Sequence, residues 1–384
     1  MKFLILLFSL VMLTGCASQP EQPLPTTDAP ETIAAVTVPT VAPPLETLPP
    51  DPIREMLDGM SLEQRVGQLF LARCDDTVAL THIAEYHLGG FVLFGRDFEG
   101  QTPESFREKI DAYQAASALP LLLAVDEEGG TVTRISSNPA FSDARFPSPR
   151  SAYDRGGLEE ALAVEEEKCL LLRDLGLNVN LGPVCDIATD PAAFMYQRSL
   201  GQDAAATAQF VSGTVTLMNA YKIGSCLKHF PGYGNNSDTH TGIAMDDRSL
   251  WELEMNDLIP FAAGMDAGCG AVMVSHTIVE DLDASLPASL SPAVHQYLRD
   301  SMGFDRVILT DDLAMEAITD LYGSGEAAVM AVLAGNDLLC STDYVTQYEA
   351  VLAAVLDGRI DIDTLNNAVR HVLQWKMDLG LIVF

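Results

Sequence analysis

Positive charge is what this 384-residue chain has least of: 22 lysines and arginines stand against 54 aspartates and glutamates, a formal charge of −32. Such a surface repels phosphate backbones and no basic stripe interrupts it, which excludes nucleic-acid binding as a function class. Cysteine is sparse as well. Beyond Cys16, the cysteines at 74, 169, 185, 226, 269 and 340 are widely scattered, with no C-x-x-C and no zinc-site spacing. Several lie in apolar runs, as small buried side chains do, and mostly free thiols are expected. The apolar run that opens the chain, FLILLFSLVML at 3–13, is too short for a stable membrane span.

That run follows Met1-Lys2 and leads into Leu13-Thr14-Gly15-Cys16. A charged start and a short apolar segment make an export signal. LTGC resembles the lipobox of bacterial lipoproteins, in which cleavage before the cysteine leaves it lipidated; an ordinary signal peptide cut near Ala17 is the plainer reading. Residues 1–15 are therefore expected to be a lipoprotein signal peptide and Cys16 the lipidation site. The protein is then exported and held to a membrane, on the cell surface or the periplasmic side. Residues 17–50, rich in Pro, Thr and Ala, have little to bury and complete a flexible tether over 16–50.

From residue 51 onwards apolar runs alternate with helical patterns. Ser61–Gln64 is a capping box that opens a helix, and Ser249–Glu252 is another. Buried strands are predicted at 69–73, 89–94, 120–126, 178–184, 223–229, 270–276, 306–311 and 337–341. Amphipathic helices are predicted at 103–117, 156–175, 202–220, 249–267, 291–302 and 362–379. Continuous apolar strands separated by helices make a parallel sheet covered on both faces. Eight such units fit a (β/α)₈ TIM barrel over residues 51–384. An open doubly wound sheet would more naturally carry a Gly-rich nucleotide turn after its first strand, and LFLARCDD has none.

Active sites of such barrels lie at the C-terminal ends of the strands. Here those ends gather the titratable residues: Asp126, Asp186, Lys228 with His229, His276, and Asp311 with Asp312. The densest stretch is KHFPGYGNNSDTHTG at 228–242, where a Lys-His pair and an Asp-x-His pair flank glycines and a proline. A core has no use for it, so an enzyme is expected. A metal-dependent barrel hydrolase would open with His-x-His after the first strand, where this chain has Arg73-Cys74-Asp75-Asp76.

KHFPGYG…DTH, DEEGGTVTR at 126–134, RSLG at 198–201 and TDDLAM at 310–315, in that fold order, together resemble family 3 glycoside hydrolases. The nearest branch is that of the single-barrel bacterial β-N-acetylhexosaminidases of peptidoglycan turnover. The resemblance implies that Asp311 is the nucleophile and that Asp238 and His240 form the acid/base dyad. It further implies that Asp126, Arg134, Arg198, Lys228 and His229 hold the sugar. Tyr233, Asn235, Thr131 and Thr239 depart from the family's usual residues, which bears on acceptor preference and loop geometry. No metal or cofactor is implied, and the partner is a carbohydrate, met by a monomeric chain that touches membrane through its lipid anchor only.

A retaining glycosidase needs a carboxylate at the anomeric carbon and an acid for the departing oxygen. An imidazole held by an aspartate can be that acid. Lys228 and His229, fixed at a strand end, can donate charge-assisted hydrogen bonds to hydroxyls. The glycines after them are expected to act as a hinge for a loop that closes. Because a histidine base is uncharged after giving its proton, phosphorolysis could compete with hydrolysis. A β-glucosidase or β-xylosidase of the same family, or a glycan-binding lipoprotein without catalysis, are the other readings. Asp312 reads as an N-cap for the next helix, Asp186 as a loop tie or a site residue, His276 as a support and Met315 as core. His82, His87, His295 and His371 read as ordinary surface or half-buried residues.

Overall fold

The computed structural model describes residues 51–234 and 244–384. Eight parallel strands form one sheet: β1 (Phe70–Arg73), β2 (Gly90–Leu93), β3 (Leu122–Val125), β4 (Val179–Asn180), β5 (Gly224–Phe230), β6 (Ala271–Val274), β7 (Val307–Thr310) and β8 (Leu339–Ser341). β8 pairs back onto β1, with Phe70 opposite Leu339. β7 meets β8 through a parallel bridge between Leu309 and Leu338, where the Thr310 N–H donates to the Leu338 carbonyl at 3.1 Å and closes the ring. This is the TIM barrel expected from the strand–helix alternation.

Strand side chains fill the ring in layers. Leu71, Val92, Leu122, Ala124, Val179, Cys226, Ala271, Val307 and Leu309 form one buried cluster. The helix Ile362–Asp378 closes the end beneath it with Val372 and Trp375. The indole is why Gly224 and Gly270 are bare: a Cβ on Gly270 would stand 1.9 Å from Trp375 Nε1. Outside the ring, two further apolar clusters pack helices onto the strands.

The predicted helix starts hold. Ser61 Oγ accepts from the Gln64 N–H while Gln64 returns the bond to Ser61, and Ser249 and Glu252 do the same. The helix Pro149–Asp174 changes course at Gly156 and Gly157, whose backbones leave helical geometry. The stretch expected as one helix over 249–267 is two, Leu250–Met255 and Leu258–Asp266, parted at Asn256. The strand expected over 178–184 is regular only at Val179–Asn180; past Gly182-Pro183, whose proline has no N–H for the ladder, it meets β5 again in a single parallel bridge from Val184 to Lys228. His87 ends its helix in the left-handed conformation (φ 52°), and His295 is fully buried rather than half-exposed. All six cysteines of the described residues are free thiols. No helix among the described residues is long and apolar enough to cross a membrane.

Candidate active site

All eight strands contribute to one cavity of about 370 Å³ at the C-terminal mouth of the barrel. Arg73, Phe94, Asp126 and Leu181 line it from β1 to β4 or just beyond their ends, and Lys228, His229, Met273, Asp311 and Cys340 from β5 to β8. Arg134 and Arg198 reach in from loops, so six of the eight catalytic and sugar-binding residues expected from the sequence share this wall: Asp126, Arg134, Arg198, Lys228, His229 and Asp311. Asp238, His240 and the proposed closing loop lie outside the described residues.

The floor is a fixed array of charges. Lys228 is buried, and its Nζ donates to Asp126 Oδ1 and Glu128 Oε1, each at 2.6 Å. An ammonium has three hydrogens, and among the described residues no third acceptor takes the last. Arg198 grips Glu128 through two parallel bonds, Nε to Oε2 at 2.8 Å and Nη2 to Oε1 at 2.7 Å. Burial alone would strip Lys228 of its proton, but the Asp126 and Glu128 carboxylates outweigh it and hold the ammonium above its ordinary range. Burial likewise opposes charge on Glu128, yet Lys228 and Arg198 keep its carboxyl well below the usual carboxylate range.

Residues 126–136 are shaped by the neighbouring acid. Glu127 turns away from the cavity and accepts the backbone N–H groups of Arg134 and Ile135, both at 2.8 Å. That fold-back brings Arg134 to 3.8 Å from Asp126 and lays its guanidinium over the Phe94 ring.

The hydrogen bonds give His229 a different part from the charged donor expected of it. Asp186 Oδ2 lies 2.8 Å from His229 Nδ1 and accepts the His229 backbone N–H at 3.1 Å, while Oδ1 accepts the Tyr233 N–H at 2.8 Å. A carboxylate at Nδ1 places the ring hydrogen there. Nε2 then accepts from Arg198 Nη2, 3.2 Å away. His229 thus orients Arg198, and Lys228 is the charged donor of the pair. The register between β5 and β6 shifts between Leu227 and Phe230, which turns both side chains into the mouth.

The glycines after this pair are fitted rather than loose. Gly232 (φ 117°) and Gly234 (φ 55°) both occupy left-handed backbone, and a Cβ on either would collide with Asp257 or the Arg248 guanidinium. Tyr233 between them is buried, its ring edge-on to His229. As far as residue 234, therefore, the segment is anchored and does not act as a hinge.

At β7, the Asp311 N–H donates to the Val274 carbonyl, and Oδ1 accepts the Asp312 N–H at 2.8 Å. Asp312 is no helix cap, contrary to expectation, since the next helix begins at Glu316 behind Met315. Its carboxylate instead accepts from the Ala314 N–H and from Thr342 N–H and Oγ1, tying the ends of β7 and β8 together. His276 supports the same turn, with Nε2 3.0 Å from the Asp312 carbonyl and Nδ1 2.7 Å from Ser289 Oγ. Met315 is buried yet lines the cavity.

Among the described residues, Cys74, Asp76 and Asp97 are the one group with metal-donor spacing. Lys109 Nζ already stands there, donating to Asp76 Oδ2 and the Asp97 carbonyl at 3.1 and 2.6 Å.

Residues 61–375 match the sequence profile of the glycosyl hydrolase family 3 N terminal domain. The chain belongs to glycosyl hydrolase family 3. A Beta-hexosaminidase of Stenotrophomonas maltophilia (strain K279a) is 35% identical over 269 residues, 68% of this chain and 78% of its own length. One from Xylella fastidiosa (strain 9a5c) is 35% identical over 299 residues, 75% of this chain and 86% of its own. In three dimensions the chain is similar to a glycoside hydrolase family 3 beta-N-acetylglucosaminidase from Paenibacillus sp. str. FPU-7, with TM-score 0.78 and 32% identity. That match covers 85% of this chain and 64% of the other. This family 3 protein is a glycosidase acting on O-glycosyl bonds.

Two members of the family 3 site escaped the sequence reading. Glu128 was hidden inside DEEGG beside a glutamate with an unrelated task. Asp186, weighed evenly between loop and site, is the residue that sets His229 and Tyr233. Its signal was position, immediately beyond the fourth strand.

Proposed function

We propose that this family 3 glycosidase is a retaining β-N-acetylhexosaminidase that removes terminal β-linked N-acetylglucosamine. The relatives named above support the sugar, and the presence of Asp311 in the same cavity as Asp126 and Lys228 carries the chemistry. Asp126 accepts from sugar hydroxyls and the third Lys228 hydrogen donates to one; both are held so rigidly that little is reorganised as the ring flattens towards an oxocarbenium ion. Asp311 attacks the anomeric carbon and forms a glycosyl ester as the aglycone oxygen departs. His240, oriented by Asp238, protonates that oxygen and then deprotonates the water that cleaves the ester. Turnover of cell-wall or chitin fragments is the setting this chemistry fits.

The test is a panel of 4-nitrophenyl β-glycosides with Asp311→Ala alongside. The N-acetylglucosaminide should be cleaved best, and the variant should lose at least about 10³-fold in kcat, as expected when a covalent nucleophile is removed. Azide, standing in for the lost carboxylate, should restore turnover with an α-glycosyl azide as product. Unchanged activity in Asp311→Ala would overturn the assignment.

A further inference from the structure

We infer that Arg248 is a positioning residue for the acid/base step: it ties together the two backbone flanks between which Asp238 and His240 stand in the sequence, and so aligns the imidazole with the bond to be cleaved. The inference rests on the reading of His240 as the acid and goes beyond it by assigning the residue that sets that group against Asp311.

Arg248 does not line the sugar cavity. It lines a neighbouring cleft with Gly234, Asp246 and Asp257. Four of the five hydrogens of its guanidinium are committed there. Nε and Nη2 grip Asp246 as a fork, at 2.9 Å to Oδ1 and 2.6 Å to Oδ2. Nη1 donates to Asp257 Oδ2 at 2.7 Å, and the second Nη2 hydrogen goes to the Gly232 carbonyl at 3.1 Å.

Those partners belong to different parts of the chain. Gly232 lies on the segment leaving β5, which Asp186 holds through the His229 and Tyr233 N–H groups. Gly234 packs its backbone so closely on the guanidinium that a Cβ would stand 2.5 Å from Arg248 Cζ. Asp246 lies beyond the dyad in sequence, where Met245–Asp246 runs parallel to Ile278–Val279. The Ala244 carbonyl accepts the Ile278 N–H at 2.9 Å and the Asp246 carbonyl the Glu280 N–H at 3.0 Å. Asp257 heads the helix Leu258–Asp266, whose Phe261 packs edge-on to Phe230 of β5. One guanidinium therefore joins the exit of β5, the returning strand and an outer helix.

Asp246 and Asp257 are both buried, and charge alone asks for a cation between them. Charge does not ask for the bond to Gly232. A lysine could neutralise the same carboxylates; the planar fork of an arginine also fixes the spacing of the two flanks. That spacing bears on proton transfer, because an acid must stand within hydrogen-bond reach of the departing oxygen. A misplacement of about 1 Å can lower a rate about 10²-fold. Asp311 is set from β7, where its N–H donates to the Val274 carbonyl of β6. Loosening the Arg248 tie should therefore impair the acid and spare the nucleophile.

Leaving groups separate the two. The parent, Arg248→Met, Arg248→Lys and His240→Ala are compared on the 2,4-dinitrophenyl and 4-methoxyphenyl N-acetyl-β-glucosaminides. Dinitrophenolate departs as a stable anion without an acid, whereas the methoxyphenyl oxygen must be protonated. In Arg248→Met, kcat/KM should fall about 100-fold for the methoxyphenyl glycoside and less than about threefold for the dinitrophenyl one. His240→Ala should show the same selectivity, and Arg248→Lys a loss between parent and Arg248→Met. Turnover of the dinitrophenyl glycoside should also slow, because water needs the base to cleave the glycosyl ester. Azide needs no base and should restore it, with a β-glycosyl azide as product. Equal losses on both substrates in Arg248→Met beside a selective His240→Ala overturn the inference, as do parent rates on both. If His240→Ala is itself unselective, the acid has been misassigned and the inference falls with it. Melting curves report folding. Should Arg248→Met not fold, Arg248→Lys, which keeps a cation between the two aspartates but not the fork, decides the comparison: a methoxyphenyl-to-dinitrophenyl ratio within about twofold of the parent ends the inference.

Discussion

Lys376 lies in the helix that closes the barrel floor, with no exposed surface, and Gln68 Oε1 at 2.7 Å is its one hydrogen-bond acceptor among the described residues. Burial pushes its ammonium down from 10.5 to about 7. The folded protein gives up this proton near pH 7 and the unfolded chain only near 10.5, so between those values the unfolded state binds more protons and stability rises with pH. Below pH 7 the folded state must house a buried cation, and the penalty is full. At 1.36 kcal/mol per pH unit it amounts to about 4 kcal/mol at pH 7 and about 2 kcal/mol at pH 9. Lys376→Met removes that penalty but orphans Gln68 Oε1, which costs about 1–3 kcal/mol at every pH. The variant should therefore be more stable than the parent by about 1–3 kcal/mol at pH 7, with an advantage about 2 kcal/mol smaller at pH 9. Urea unfolding of both proteins from pH 6 to 9 measures this as a difference. The difference matters because burial also pushes the thiols of Cys74, Cys169 and Cys269 up to about 12, which lowers stability above pH 9 equally in both proteins. A stability gap that does not move with pH would refute the reasoning, whatever its sign.

Two further outcomes follow from the charge array and from the proposed lipidation of Cys16. Glu128→Gln leaves Lys228 and Arg198 with Asp126 as the one remaining carboxylate of the array; breaking a buried pair in this way should cost about 3–5 kcal/mol in unfolding free energy and raise KM for aryl glycosides. Glu128 is held below its ordinary pKa, so it stabilises the fold above that value, and the stability is lost as pH falls through its folded one; the variant's deficit should be flat near neutrality and shrink in acid, as urea titrations from pH 3 to 7 would show. Cys16→Ala should abolish incorporation of labelled palmitate and release the protein from the membrane fraction, whereas unchanged labelling would remove Cys16 as the anchor.

How far the sequence reached depended on whether a residue's task followed from its place on a strand. Asp126, Lys228 and Asp311 were legible because each stands at or just beyond the end of an apolar run, and a parallel barrel turns all such ends to one mouth. The same logic misjudged Asp312, because capping depends on where the next helix starts, and Leu313-Ala314-Met315 intervene before it. It also misjudged Gly232 and Gly234. A glycine in sequence says that a side chain is unwelcome, not why; here the reason is close packing on Asp257 and Arg248, the opposite of a hinge.

Glu127 and Glu128 show where a linear reading must stop. They are adjacent and chemically identical, and one folds a loop by collecting backbone N–H groups while the other binds two cations in the cavity floor. Successive side chains on an extended segment point to opposite sides, so one of the two faces the mouth and the other turns away. Which one is fixed by Arg198 and Lys228, 70 and 100 residues further along the chain, only through the closed ring that brings β3 and β5 to either side of β4. The same ring decides that Arg73 meets Phe94 rather than one of the many carboxylates near it. Pairing across the barrel mouth is a property of closure, and an unpaired charge there becomes visible only once every candidate partner has been placed.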